Sequence, residues 1–430
     1  MANRLNHFTL PVDFMKAVVV FVFLLLISMQ NLKVASVFGG KVSAGEIVLG
    51  VVLSAASVIW IVRRQHMRYG ELLRPVAMAV VVSFISMIIS DDRGMAFRVW
   101  FRWCVEAGML FFSISLLGRR DIGGALARAA LWLMVVCVVV EAGRIMKVGS
   151  IISFSLLFRD YVLFELDYPR AFGIFEIPTV AGSVSVFCIM LSIHGMYRRA
   201  VPYVEGVVTL VCAAAMFIMS AGLNSWFILT LAAFVSIIGT YRLGYRKSAG
   251  LAALCIAALP ASVYWLHPYT HYRADYFIEM LLKNSLSAAS NSRTFLWKAA
   301  LRAWFENPWL GLGPNVFSLH VSDYLFEDVD LTGGLNAHNG LLGVLSETGL
   351  LGFAAVSVLL FKVFKPLFDA AGGGGRVWIS AWTAALVGSQ VFDFNFYSYR
   401  FVMFCVIITA FLYGQYLPEG APGDPADTRG

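Results

Sequence analysis

Gly333-Gly-Leu-Asn-Ala-His-Asn339 runs directly into Gly340-Leu-Leu-Gly-Val-Leu-Ser-Glu-Thr-Gly-Leu-Leu-Gly-Phe-Ala-Ala-Val-Ser-Val-Leu-Leu-Phe361. The second stretch has the length and apolarity of a helix that crosses a bilayer, with Glu347 as its single charge. The first stretch closes about 70 residues of mostly polar loop. One histidine, His338, therefore stands at the mouth of a membrane span, behind a glycine hinge and beneath a large loop. A titratable base in that position lies where the head group of a membrane lipid would sit.

The rest of the chain fits a bilayer as its solvent. Of 430 residues, 59% are hydrophobic and 14% are charged, against about 25% charged in ordinary soluble domains. Twelve apolar stretches read as spans: 17–36, 44–62, 75–90, 98–117, 123–142, 177–196, 203–220, 225–240, 249–266, 340–361, 377–393 and 400–417. The first block, Ala17 to Ser28, lacks a small-residue cleavage site and reads as a retained span. The fold class expected is an all-α polytopic membrane protein of about twelve transmembrane helices, with a helical cap between spans 9 and 10. Its divisions are 1–266 for spans 1–9, 267–339 for the large outer loop, 340–417 for spans 10–12, and 418–430 for a disordered tail rich in Pro, Gly and Asp.

Short basic loops set the orientation. Arg63, Arg64, Arg68 and Arg74 lie between spans 2 and 3, and Arg119 and Arg120 between 4 and 5. Arg198 and Arg199 lie between 6 and 7, Arg242, Arg246 and Lys247 between 8 and 9, and Lys362, Lys365 and Arg376 between 10 and 11. All five loops fall on one side, which is read as cytoplasmic, together with both termini. The net charge of +7 is thus a topological signal and not a nucleic-acid surface. Two long segments fall outside, 143–176 and 267–339. The second holds five Lys/Arg and seven Asp/Glu, so it is not a basic surface. All six cysteines lie inside apolar blocks, which is the pattern of small apolar fillers and not of disulfides or a metal site.

Two outer segments carry the chemistry. Arg170 precedes span 6 in Tyr168-Pro-Arg170-Ala-Phe-Gly173-Ile-Phe-Glu176-Ile-Pro178, and Pro178 suits the first turn of that span. Arg170 reads either as an arginine snorkelling to lipid phosphate or as a guanidinium aimed at a substrate phosphate. Nearby Arg159 has Asp160 and Glu165 to neutralise it. In the large loop, Leu296, Trp297, Ala300, Leu301 and Trp304 form a helical stripe over 292–307. Lys298, Arg302 and Glu306 follow as a solvated, ion-paired row. Arg293 sits in the first turn of that helix, where a cation opposes the helix dipole, so its placement points away from helix stability. Asn307-Pro308-Trp-Leu-Gly311-Leu-Gly313-Pro314 breaks the helix. Arg273 lies just past the outer end of span 9.

His338 reads either as a polar residue at an interface or as a base, with Asn336 or Asn339 available to cap the helix that follows. Glu347 is not its partner. Nine residues at about 100° each put the two side chains on opposite faces, about 13 Å apart in depth. Glu347 is expected to be a buried polar anchor to another span. Arginines without a metal bind diphosphate through bidentate, charge-assisted hydrogen bonds. A base at the membrane surface takes a proton from an attacking hydroxyl. A glycan on a lipid diphosphate fits this set, and its diphosphate leaves without ATP. No acidic cluster with metal-ligand spacing, P-loop or nucleophile elbow is seen.

Three motifs also resemble a known family. Arg170-x-x-Gly-x-Phe-x-x-Pro178, Ser292-Arg293-Thr-Phe-Leu-Trp297 followed by Asn307-Pro308-x-x-Gly311-x-Gly313, and Asn336-Ala-His338-Asn339 followed by Glu347-x-Gly349 are similar to the signatures of the O-antigen ligase and O-antigen polymerase superfamily. The resemblance covers residues 170–352. It implies a type C-like membrane glycosyltransferase of the bacterial inner membrane, with its active site facing the periplasm. The donor would be an undecaprenyl-diphosphate-linked glycan and the acceptor lipid A–core, with no metal or other cofactor and with inversion at the anomeric carbon. By carry-over, His338 would be the catalytic base, and Arg170, Arg293 and Arg273 would bind the substrate diphosphate. Within the superfamily a ligase is favoured over a polymerase, since an Arg-x10-Gly pattern occurs once, at Arg302 and Gly313, and not at Arg170. A protein O-glycosyltransferase fits less well, lacking an extra soluble domain. A twelve-span transporter fits less well too, since the connection Tyr197–Pro202 is short and the halves show no repeat.

Overall fold

The structure is a computed structural model and describes residues 33–37, 40–43, 72–114, 120–146, 173–175, 177–220, 222–247, 249–250, 268–283, 293–325, 336–393 and 398–417. Twelve α-helices lie among them: α1 Leu73–Ile89, α2 Arg93–Phe112, α3 Arg120–Ile145, α4 Pro178–Tyr197, α5 Tyr203–Ser220, α6 Leu223–Arg242, α7 Pro268–Leu282, α8 Arg293–Glu306, α9 Phe317–His320, α10 Gly340–Ala370, α11 Gly373–Gly388 and α12 Tyr399–Tyr416. One antiparallel hairpin, β1 Lys33–Val37 with β2 Gly40–Ser43, pairs Val37 with Gly40 and Lys33 with Ser43. Lys33–Ser36 at the end of expected span 1 are therefore strand and not helix. The remainder of spans 1 and 2, nearly all of span 9 and the tail lie outside the described residues.

Among the described residues, four helices are long and apolar enough to cross a membrane: Pro178–Tyr197, Tyr203–Ser220, Asn224–Arg242 and Gly340–Ala370. Leu73–Ile89 and Phe404–Tyr416 are shorter apolar helices. The chain is a helical, multi-pass membrane protein. Several boundaries move for local reasons. Helix α2 starts before the expected span 4 because Asp92 caps it, accepting from the Met95 amide at 2.9 Å. Helix α10 continues past Phe361 through Lys362 and Lys365, where Lys365 pairs with Asp369 one turn on. Those two lysines thus extend span 10 and do not lie in a loop. Arg74 likewise lies in the first turn of α1. Helix α11 ends at Gly388, five residues before the expected end of span 11, and Ser389–Asp393 continue as turns and bends.

The main core joins α3, α4, α5, α6, α11 and α12. Phe187 of α4 stacks on Trp382 of α11 at 5.3 Å and meets Phe401 of α12 edge-on at 5.8 Å. Small residues set the spacing: a side chain at Gly182 would collide with Ser225 of α6, and one at Gly239 with Val377 of α11. Cys137 and Cys188 are buried apolar fillers, and Cys104, Cys212 and Cys405 are half-buried free thiols on helices. A second, smaller core lies above α10. It holds Leu296, Ala299, Ala300 and Ala303 of α8, Phe317 and Val321 from the turn beyond, and Ala337. The buried face of α8 is thus rotated from the expected stripe. Leu301 is 36% exposed, while small alanines face inward and let α8 lie close to α10.

Contacts sort the helix ends into two groups. Arg198 donates to the Gln415 carbonyl at 3.2 Å, Tyr416 meets His194 at 3.4 Å, and Gly373 abuts Leu243. The basic turns after α4, α6 and α10 therefore share one end. The start of α10, the end of α11 and the small cap share the other.

Candidate active site

The site is built around the first turn of α10. Asn339 is its N-cap, and its side-chain oxygen accepts from the Leu341 and Leu342 amides at 3.0 and 2.9 Å. Gly340 needs to be glycine here, because a β-carbon would collide with Gln390. Its amide donates to two carbonyls of the unwound α11 end, Gln390 at 2.7 Å and Asp393 at 3.0 Å. The start of one span is thereby stapled to the end of the next. His338, one residue before the cap, has φ +45°. This left-handed conformation costs a residue with a side chain about 1–3 kcal/mol and gathers at functional sites.

That backbone twist aims the ring at Asp393. His338 Nδ1 lies 3.7 Å from Asp393 Oδ1, and the Asp393 side chain is 5% exposed. Nδ1 itself is shut off from solvent, while the His338 side chain as a whole is 38% exposed. The exposed part of the side chain therefore lies away from Nδ1. Asp393 is the residue the sequence reading lacks, since hydropathy absorbs it into the end of span 11.

Arg293 reaches the same segment. It leaves the first turn of α8 and donates from Nη1 to the Phe392 carbonyl at 2.5 Å. Trp297, one turn on, packs against the Phe392 ring at 5.9 Å, and Phe227 of α6 meets that ring edge-on at 4.9 Å. The residues His338 and Arg293 thus meet adjacent residues of one short turn. The expected row beside Arg293 behaves as a solvated face: Arg302 pairs with Glu306 at 3.1 Å, both exposed.

Beneath this turn α10 is broken and refilled. Gly349 has φ +65° and ψ −168° in mid-helix. The Leu350 and Leu351 amides, which helical geometry would direct at Ser346 and Glu347, donate instead to Pro308 and Trp309 at 2.8 and 3.2 Å. The freed Ser346 and Glu347 carbonyls accept from Leu312 and Gly313 at 3.0 and 2.8 Å. These four groups are thus paired with the loop 308–313. Ser86 of α1 adds hydrogen bonds to the Leu310 and Glu347 carbonyls at 2.6 and 2.9 Å. The Glu347 carboxylate is fully buried and accepts from the Asn315 amide at 2.6 Å. It is a buried anchor for the loop that ends at Asn315.

Arg170 and Arg159 lie outside the described residues. The turn that follows Arg170 is held firmly: Gly173, with φ +55°, donates to Glu141 Oε1 at 2.6 Å, and Glu141 pairs with Arg144 at 2.7 Å. Arg273 lies on α7, its side chain outside the described residues. Among the described residues, no three His, Cys, Asp or Glu side chains gather as a metal site would require.

Residues 208–357 match the O-antigen ligase family. Over that segment, about a third of its length, the chain is similar to the superfamily of O-antigen ligases and polymerases. The segment takes in Arg273, Arg293, His338 and the Glu347–Gly349 break, and it stops short of Asp393 and Arg170. No curated protein matches the chain.

Proposed function

We propose that this protein is an O-antigen ligase. It would move a glycan polymer from undecaprenyl diphosphate to a sugar hydroxyl of lipid A–core at the periplasmic face of the inner membrane, across a fold of twelve spans. The observation that carries the reading is the His338 ring, which follows a left-handed backbone, has Nδ1 buried beside a buried carboxylate and is partly exposed elsewhere. Such a ring is arranged to accept one proton at a fixed point.

The steps follow from that polarity. The acceptor hydroxyl gives its proton to His338 Nε2 as its oxygen bonds to the anomeric carbon of the donor. The bond from that carbon to the diphosphate oxygen breaks, and its electron pair leaves with the lipid diphosphate. Attack from the face opposite the leaving group inverts the anomeric configuration. Asp393, on the Nδ1 side, would hold the ring in that orientation. Arg293, with Arg170 and Arg273 as further candidates, would compensate the charge that grows on the diphosphate. Diphosphate departure releases the free energy for transfer, so the reading requires neither nucleotide nor metal.

The test is the lipopolysaccharide of a deletion strain, paired with reconstitution. Glycan polymer stranded on the lipid carrier, and ligated product from purified protein, lipid-linked polymer and lipid A–core without ATP, are the expected results. A single repeat unit on lipid A–core would overturn the ligase reading in favour of a polymerase.

A further inference from the structure

At the end of the bundle opposite His338, an open cleft of about 630 Å³ is lined by Arg128 of α3, Arg198 and Arg199 of the turn after α4, Tyr203 of α5 and Gln415 of α12. Among the described residues, three arginines line it and no carboxylate does. Beside it, Glu205 of α5 is held in a bidentate pair with Arg128, with Nε to Oε2 at 2.7 Å. Arg198 is fixed from one side by its bond to the Gln415 carbonyl and lies over the Tyr416 ring at 5.2 Å. Arg199 is exposed and has φ +53°. It occupies the position after a helix end where glycine is the favoured residue. The turn closes as such ends do, with Arg199 donating to Met196 at 3.1 Å and Ala200 to Gly195 at 2.9 Å. A cation is kept there against the backbone preference.

The location names the ligand class. Helices α4 and α5 are both long and apolar enough to cross a bilayer, and the cleft sits where they join. Tyr197 and Tyr203 flank it, 74% and 75% exposed, as tyrosines do at a membrane–water boundary. We propose that this cleft is a binding site for the phosphate headgroup of an anionic membrane lipid, gripped by Arg198 and Arg199 and walled by the Arg128–Glu205 pair. Guanidinium forks suit a phosphate, and basic pockets between membrane helices hold anionic lipid headgroups.

The experiment is native mass spectrometry of the full chain, purified in detergent, delipidated and titrated with phosphatidylglycerol or phosphatidylethanolamine. Wild-type protein is expected to retain one phosphatidylglycerol in preference to phosphatidylethanolamine, and to keep it against millimolar inorganic phosphate. Arg199→Gly removes the cation while supplying the residue the backbone favours. It is expected to weaken phosphatidylglycerol binding about five- to tenfold without lowering the unfolding temperature. Arg246→Gln with Lys247→Gln, in the next basic turn, should leave that site's affinity unchanged. Equal retention of both lipids, unaltered binding by a folded Arg199→Gly chain, or an equal loss in the Arg246 and Lys247 variant would overturn the proposal. Displacement by inorganic phosphate would reassign the cleft to a free anion.

Discussion

His338 combines a backbone conformation that side chains resist with a ring nitrogen closed off against Asp393. The two can be separated by substitution. Asparagine accepts left-handed backbone more readily than most residues but offers no base, so His338→Asn should retain the wild-type unfolding temperature and lose transfer by a factor of about 100 or more. Adding Asp393→Asn should cost little further activity, because the carboxylate acts through the ring and coupled residues do not add. A double variant far worse than His338→Asn alone would give Asp393 a role of its own. Arg293→Lys should fail to restore transfer even though the charge is kept. A lysine has no planar fork to grip a phosphate while also meeting the Phe392 carbonyl, and wild-type turnover by that variant would reduce Arg293 to a structural contact. Arg293 is legible in sequence because a cation in a first turn opposes the helix dipole, and His338 because it stands at the mouth of a span beneath a long loop. Asp393 is not, because it follows an apolar run and its meaning appears only when α11 unwinds five residues early.

The interlock between α10 and the loop 308–313 gives the glycines a mechanical reason. A β-carbon at Gly311 would enter the Glu347 carbonyl group, and one at Gly349 would enter that of Trp309. Both residues also have φ near +65°. Gly311→Ala and Gly349→Ala should therefore each destabilise the protein by about 2–4 kcal/mol, read as a lower unfolding temperature in detergent. Retention of wild-type stability by either would mean that the loop does not thread the helix break. Glu347→Gln keeps an oxygen for the Asn315 amide but puts an –NH2 group in a fully buried site that holds a carboxyl. It should cost stability, on the order of 1 kcal/mol, while the folded fraction still transfers glycan; a stable but inactive variant would move Glu347 into the chemistry. Sequence shows the breakers at 307–313 and the helix at 340, but as separate features. Local patterning carries no signal for the register between them, which is set by four backbone hydrogen bonds whose donors and acceptors every residue type possesses.

At the scale of the whole molecule, the sequence places basic loops on one side of the membrane by counting spans, while the structure brings their residues together by contact. The turn after α4 touches the end of α12, and the turn after α6 touches the start of α11. The cap, built on α8 and the turn at Phe317–Tyr324, packs with Ala337 at the other end. The two sources are independent, so the sidedness they imply can be tested by labelling. Asp323 in the cap has a side chain 62% exposed, and Lys247 is exposed at the basic end. In intact spheroplasts, Asp323→Cys should react with a membrane-impermeant maleimide above the wild-type background. Lys247→Cys should react only after the membrane is permeabilised. The positive-inside rule rests on short loops near span ends, and Lys247 lies just beyond the end of α6, which makes it a fair reporter. Labelling of both positions from outside would mean that the two ends are not separated by the bilayer. Labelling of Lys247→Cys alone would invert the protein and place His338 in the cytoplasm, where lipid A–core awaiting its glycan polymer would be out of reach.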